Sequence, residues 1–162
     1  MGFIDTSETL PVFYNIVQAV GKNCPNKRDD VMLVQYLLEW RYKNVQPRAA
    51  VPKGVMKVDG ICGGITLNWI QKFQLDIMLS GYSIQADSRV DRIRNKQSFN
   101  SSLSNKIYTL GWLNWIVAYE EPVAFAKLPQ SVPLQNPASV PPPTNDMVVH
   151  EPPQQVPATG GL

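Results

Sequence analysis

The chain has 162 residues, 44% of them hydrophobic, which suits one globular domain and excludes a wholly disordered polymer. Nine of its fourteen prolines fall between Pro129 and Pro157, a stretch without Lys or Arg. Setting aside Asp146 and Glu151 in that stretch leaves 15 basic against 11 acidic residues in the rest, and a balance of +4 is too mild for a nucleic-acid interface.

Residues 1–20 carry Asp5 and Glu8 in place of a basic leader, and Asn15 and Gln18 break the apolar run, so no Sec signal is read there. No stretch reaches the roughly 18 apolar residues of a membrane span. Residues 3–14 have no clear period and are expected to form an arm lying on the body or on a neighbour. Residues 16–20 read as a short extended run closed by Gly21. Asn26 is expected to cap the first helix, with Asp29 in its first turn where the helix dipole favours negative charge. Val31, Val34, Leu37 and Leu38 form the apolar stripe, and Pro47 predicts a stop near Asn44.

After a loop over residues 45–57 comes Val-Asp-Gly-Ile-Cys-Gly-Gly-Ile-Thr-Leu-Asn-Trp-Ile-Gln-Lys-Phe-Gln, residues 58–74. Gly60, Gly63 and Gly64 punctuate a turn, and Asp59 is placed to bond backbone amides and hold it shut. Trp69, Ile70, Phe73 and Ile77 then recur at helical spacing, predicting a helix over about 64–79 that ends at Gly81. Arg89, Arg92, Arg94 and Lys96 make a local basic cluster, read as a solvated and partly paired loop.

A third helix is expected from Ser98 or Ser101, with Phe99, Leu103, Ile107, Leu110 and Val117 on one face. At about 100° per residue, Tyr108, Trp112, Trp115 and Tyr119 form a second stripe nearly opposite. One small core cannot bury both stripes, so a cover is expected for the aromatic one. Three covers are open: the N-terminal arm or residues 120–128 with Val123, Phe125 and Leu128, a second protein chain, or glycan sugars. Residues 121–162 read as an extended strap or linker, held on a neighbour in an assembly, and polyproline docking on an aromatic groove adds a further variant.

The glycine turn resembles the Val-Asp-Gly-Ile-Cys-Gly-Pro-Lys-Thr motif of the peptidoglycan-binding-like domains. Two further stretches support the resemblance: Val20 to Asn23 with Asp30 to Leu38 is similar to that family's opening loop and first helix, and Asp87 to Arg92 to its Asp-Gly-Arg-Val-Asp-Pro turn. The resemblance covers residues 16–92, about half of the chain. It implies a mainly α, compact three-helix domain over residues 15–120. A short extended N-terminal segment (1–14) would precede it and an extended proline-rich tail (121–162) would follow. It also implies a non-catalytic wall-binding module whose ligand would meet the turn at Asp59, Gly60, Gly63, Gly64 and Thr66. Gly64 and Ile65 stand in place of the motif's Pro and Lys, Ser88 in place of Gly, and Arg92 in place of Pro.

Catalytic chemistry is not expected. The single histidine, His150, lies in the tail, which removes Ser-His and Cys-His nucleophiles and the usual metal clusters. Cys24 and Cys62 make neither a disulfide framework nor a zinc site, and Cys62 reads as a small buried residue in a helix's first turn. Glu39, Glu120 and Glu121 are carboxylates of the right type for glycoside hydrolysis but read as surface. No cofactor and no metal are expected. The leading reading is a docking component of a phage virion or of a contractile or secretion-type assembly, made in the cytoplasm and bound to protein partners, copies of itself included. Tyr108, Trp112, Trp115 and Tyr119 would be the partner face. The alternative is a free cell-wall protein recognising glycan or stem peptide.

Overall fold

In the computed structural model, residues 1–135 and residue 140 are described; most of the tail, with His150, lies outside them. Among the described residues the fold is mainly helical, with four α-helices and two small sheets. Strand β1 (Gly2–Asp5) pairs antiparallel with β2 (Phe13–Asn15), matching Phe3 with Asn15 and Ile4 with Tyr14. Phe3, Phe13 and Tyr14 are buried, so the expected arm is part of the core. Strand β3 (Val20–Gly21) leads to helix α1 (Arg28–Lys43), and helix α2 (Gly64–Leu79) is followed by β4 (Arg89–Val90), which pairs back onto β3. Helix α3 (Thr109–Glu120) runs into α4 (Pro122–Ser131), and β5 (Leu134–Gln135) joins β1 in parallel.

The expected apolar stripes face the core. Val31, Val34, Leu37 and Leu38 of α1 are fully buried, as are Ile70 and Phe73 of α2, with Trp69 and Ile77 nearly so. Helix α1 begins at Arg28 without a side-chain cap, because Asn26 is used elsewhere. With φ at +50°, its amide accepts from the Gly21 N–H (2.7 Å) and donates to the Gly21 and Cys24 carbonyls. Asp30 is buried behind that loop, accepting from the N–H groups of Val17 and Gln18 and lying 3.2 Å from the Met1 amine. At the other end of α2, Gly81 takes φ of +88° and closes the helix as expected.

The third helix starts later than its sequence period suggests. Residues 98–108 form a loop instead, because Phe99 and Asn105 take positive φ and the Ser101 hydroxyl accepts from the N–H groups of Leu103 and Ser104. Phe99 is still wholly buried: it meets Phe13 edge-on at 5.0 Å and lies against Gly111, where a Cβ would come within 3.0 Å of it. Leu103 and Ile107 are only half-buried, and the inner face of α3 is Leu110, Leu113, Asn114 and Val117.

A fourth helix replaces the start of the expected tail. Pro122 occupies its first turn, where a missing N–H costs nothing, but Pro129 lies inside it. That proline cannot donate to the Phe125 carbonyl four residues back. The Tyr14 hydroxyl does so instead at 2.6 Å, and the Tyr36 hydroxyl bonds the neighbouring Ala124 carbonyl at 3.0 Å. Burial, then Tyr36, pushes the Tyr14 pKa up to about 12, so this hydroxyl remains a donor across the physiological range. Tyr14→Phe is expected to lower stability by about 1–3 kcal/mol, the cost of a buried carbonyl left unpaired. In a Pro129→Ala background, where a backbone N–H can take over, the same change should cost clearly less; urea unfolding of the four variants measures this coupling.

Candidate functional site

Two buried glutamines organise the loops that the sequence singles out. Gln35, in the middle of α1, accepts through Oε1 from the N–H groups of Asp59 (3.1 Å) and Gly60 (2.9 Å). Its Nε2 faces the Asp59 carboxylate (3.1 Å), the Ile61 carbonyl (3.1 Å) and the Thr66 hydroxyl (3.0 Å), the last on the first turn of α2. Gln74, in α2, repeats the arrangement. Its Oε1 accepts from the N–H groups of Asp87 (3.1 Å) and Ser88 (2.8 Å), while Nε2 faces Asp87, the Arg89 carbonyl (2.8 Å) and Thr109, the first residue of α3 (2.9 Å). In both turns the aspartate accepts from the N–H two residues on, and the residue between has positive φ, +77° at Gly60 and +61° at Ser88.

Of the polar side chains of the expected ligand turn, Thr66 is buried and bonded within the protein, and half-buried Asp59 has one carboxylate oxygen engaged there. Asp59 holds its own loop and Gln35, and Thr66 donates to the Ile61 carbonyl while accepting from Gln35. Gly60 is required by its φ and by Arg28, whose Cγ a Cβ would approach to 2.3 Å. Gly63 and Gly64 meet no such neighbour. Beside the turn lies an open groove of about 320 Å³ with Gln35, Asp59 and Thr66 among its lining and Val55, Ile61 and Ile65 exposed around it. That groove can offer apolar contact and Lys57 to a ligand.

The second expected site divides. Tyr108 belongs to the core, whereas Trp112 is half-buried, Trp115 is 41% exposed and Tyr119 is 87% exposed. Tyr82, just past the end of α2, packs on Trp112 at 5.0 Å, and Trp112 lies 5.8 Å from Trp115 at 31°. The Trp112 indole N–H donates to the Ser83 carbonyl at 3.2 Å. Tyr82, Trp112 and Trp115 thus form a ladder on the surface, and Tyr82 is the member that helical periodicity could not find. Neither expected intramolecular cover lies over it. The N-terminal strands are in the core, Phe125 and Leu128 are buried with Tyr14 on the other side, and Val123 is itself exposed.

The remaining candidates have structural partners. Arg89 lies 3.6 Å from Asp91 and Lys96 is 2.8 Å from Asp5, so the basic cluster is partly paired as expected, but Arg92 is buried over the Phe3 ring instead of solvated. Glu120 pairs with Arg41 at 3.3 Å, Glu121 accepts from Asn44, and Glu39 is exposed. Cys24 and Cys62 are unbridged, and burial raises both thiol pKa values. Cys62 precedes α2 and is half-buried, rather than sitting in its first turn. Among the described residues no three His, Cys, Asp or Glu side chains are grouped to hold a metal, and no helix is long and apolar enough to cross a membrane.

No family model, curated protein or solved structure matches the chain.

The two clamp aspartates differ in one respect. The Ile61 N–H and then Gln35 hold the Asp59 carboxyl below its ordinary value, whereas burial lifts that of Asp87. A lowered folded pKa gives stability that is present above the unfolded value, about 3.9, and is lost on acidification. A raised one gives stability that is fully present below that value and is lost as pH rises through the folded pKa. Asp59→Asn is therefore expected to flatten the acid limb of a stability profile taken from pH 3 to 7, and Asp87→Asn to flatten the decline above about pH 4. Urea midpoints at each pH, with the two variants moving the profile in the same sense, would refute the assignment.

Proposed function

We propose that this chain is a non-catalytic docking component of a larger assembly, such as a phage virion or a contractile or secretion-type apparatus. It would be built on a peptidoglycan-binding-like fold and hold protein partners through the outer face of α3. The observation that carries this reading is the Tyr82, Trp112 and Trp115 ladder, continued on α3 by the exposed Tyr119. Large aromatic side chains, rigid and amphipathic, are the usual anchors of protein interfaces, and scattered single exposures would not carry the argument. The capture of Thr66 by Gln35 and the Ile61 carbonyl supports docking over wall binding at the turn, since that hydroxyl would have to leave both to meet a ligand.

The groove beside the turn favours a second reading, recognition of a stem peptide or glycan from the cell wall. Its volume lies at the lower end of small-ligand sites, and the exposed Val55, Ile61 and Ile65 give it apolar walls.

The two readings part in one pair of measurements. Expressed with its neighbouring genes, the wild-type chain is expected to sediment with a large particle. The Trp115→Ala, Tyr119→Ala double variant should remain in the soluble fraction with an unchanged unfolding midpoint, since both side chains are exposed. Saturable pelleting of the pure chain with insoluble peptidoglycan, kept by that double variant and lost in Ile61→Ser, Ile65→Ser, would overturn docking and establish the wall reading.

A further inference from the structure

Another hollow lies outside both surfaces discussed so far, where the end of α1 meets the corner between α3 and α4. It holds about 530 Å³, with Trp40, Arg41 and Asn44 among its lining from the end of α1 and Glu120 and Glu121 from the corner. That volume falls well inside the range of small-ligand sites. Contacts across the hollow hold its walls in place. Arg41 Nη1 donates to Glu120 Oε2 at 3.3 Å, and the Asn44 amide donates to Glu121 Oε1. Trp40 is half-buried, and Tyr36, one turn earlier and itself buried, meets its ring at 6.2 Å. The Lys43 ammonium lies 3.7 Å over that ring.

These side chains suit one class of ligand. A pyranose offers an apolar face of C–H groups, which stacks on an indole, and a rim of hydroxyls, each at once donor and acceptor. The hollow has the indole, with donors and acceptors already set side by side around it. Each internal bond engages one oxygen of its glutamate, so Glu120 Oε1 and Glu121 Oε2 have no partner among the described residues and are free to accept from hydroxyls. Arg41, whose side chain is partly exposed, has N–H groups beyond the one given to Glu120. Arg41 and Lys43 balance Glu120 and Glu121, so the hollow has no net charge. An ion would have to break one of the internal pairs, whereas a neutral polyol bonds to them as they stand. Lys43 is exposed and bonds no carboxylate among the described residues, so a sugar ring replaces its ammonium over the indole while that charge returns to water.

We propose that this hollow binds an uncharged saccharide, its ring stacked on Trp40 and its hydroxyls shared among Arg41, Glu120 and Glu121. No residue of the Tyr82, Trp112 and Trp115 ladder and none of the glycine turn lines it, so the proposal does not depend on either of those surfaces.

The test follows the indole N–H signals of the full chain labelled with ¹⁵N, with Trp40→Phe and Trp115→Phe assigning two of them. The chain is titrated in turn with cellotriose, maltotriose and triacetylchitotriose. At least one of these is expected to shift the Trp40 signal saturably and to leave that of Trp115 in place. Trp40→Ala should weaken the binding about tenfold, the contribution of one stacking contact. Glu121→Gln gives a reading that does not depend on the core tolerating Trp40→Ala. Its amide oxygen still accepts from Asn44, but donors replace the open acceptor, and affinity should fall several-fold with an unchanged urea midpoint. Lys43→Ala, which clears the indole, should tighten binding. The absence of a saturable shift with all three sugars overturns the proposal, as does a shift of Trp115 in place of Trp40. Binding that Trp40→Ala and Glu121→Gln both leave unchanged, or that Lys43→Ala weakens, also overturns it. Tighter binding of glucuronate or glucosamine than of the neutral sugars overturns it by assigning the hollow to an ion.

Discussion

Gln74 is wholly buried, yet every polar atom of its amide is occupied, and what it occupies them with decides where the second half of the chain goes. It holds the turn over Asp87 to Arg89, and thereby β4, and it holds Thr109, from which α3 departs. Gln35 does the same one helix earlier, binding the turn after Asp59 and the first turn of α2. Asn114 then ties α3 to the backbone of Tyr14 in β2. Two buried amides thus link α1 to α2 and α2 to α3, a third ties α3 back to β2, and apolar packing fills the space they define. A buried amide is costly unless fully bonded, so this arrangement admits one register for each turn.

From that constraint follows the character of α3. Its inner face is fixed by Asn114 and by Leu110, Leu113 and Val117, so Trp112, Trp115 and Tyr119 have no choice but to face outward. Tyr82 and the Ser83 carbonyl both contact Trp112 and orient the middle of the ladder. Preorganised aromatics lose little entropy on binding, which is how a small surface can serve as an anchor. The glycine turn has the opposite fate. It is the most conspicuous feature of the sequence, but Gln35 holds its backbone and Thr66, and what remains for a ligand is the groove beside it, with Asp59 on its wall.

Much of this was legible in the residues. The stripes of α1 and α2, the stop before Pro47 and the glycine ending at Gly81 follow from period and backbone preference, and the structure has them. The start of α3 was not legible, because Phe99, Leu103 and Ile107 keep a helical spacing by accident while serine turns hold the backbone in a loop. Asn26 has the composition of a cap but spends its amide on Gly21. Helix α4 was hidden by Pro129, whose cost is met by a hydroxyl 115 residues earlier in the chain. No local rule can find such a partner. The same holds for the glutamines: polar residues within apolar stripes mark them as unusual, but only the fold shows which turns they grip. The aromatic stripe was found, and its division between core Tyr108 and outward Trp115 was not, because that depends on where α3 begins.

The linkage through buried amides makes a direct statement about two backbone N–H groups, those of Gly60 and Ser88, which belong to loops but bond glutamine oxygens inside the protein. Native-state hydrogen exchange at these two positions is the decisive measurement. If the amides organise the fold, both groups exchange only through global unfolding, with the same free energy as core amides of α1 and α2. Exchange at the rate of an exposed loop, with the helices still protected, would show that the turns open freely and that the glutamines follow the fold instead of setting it.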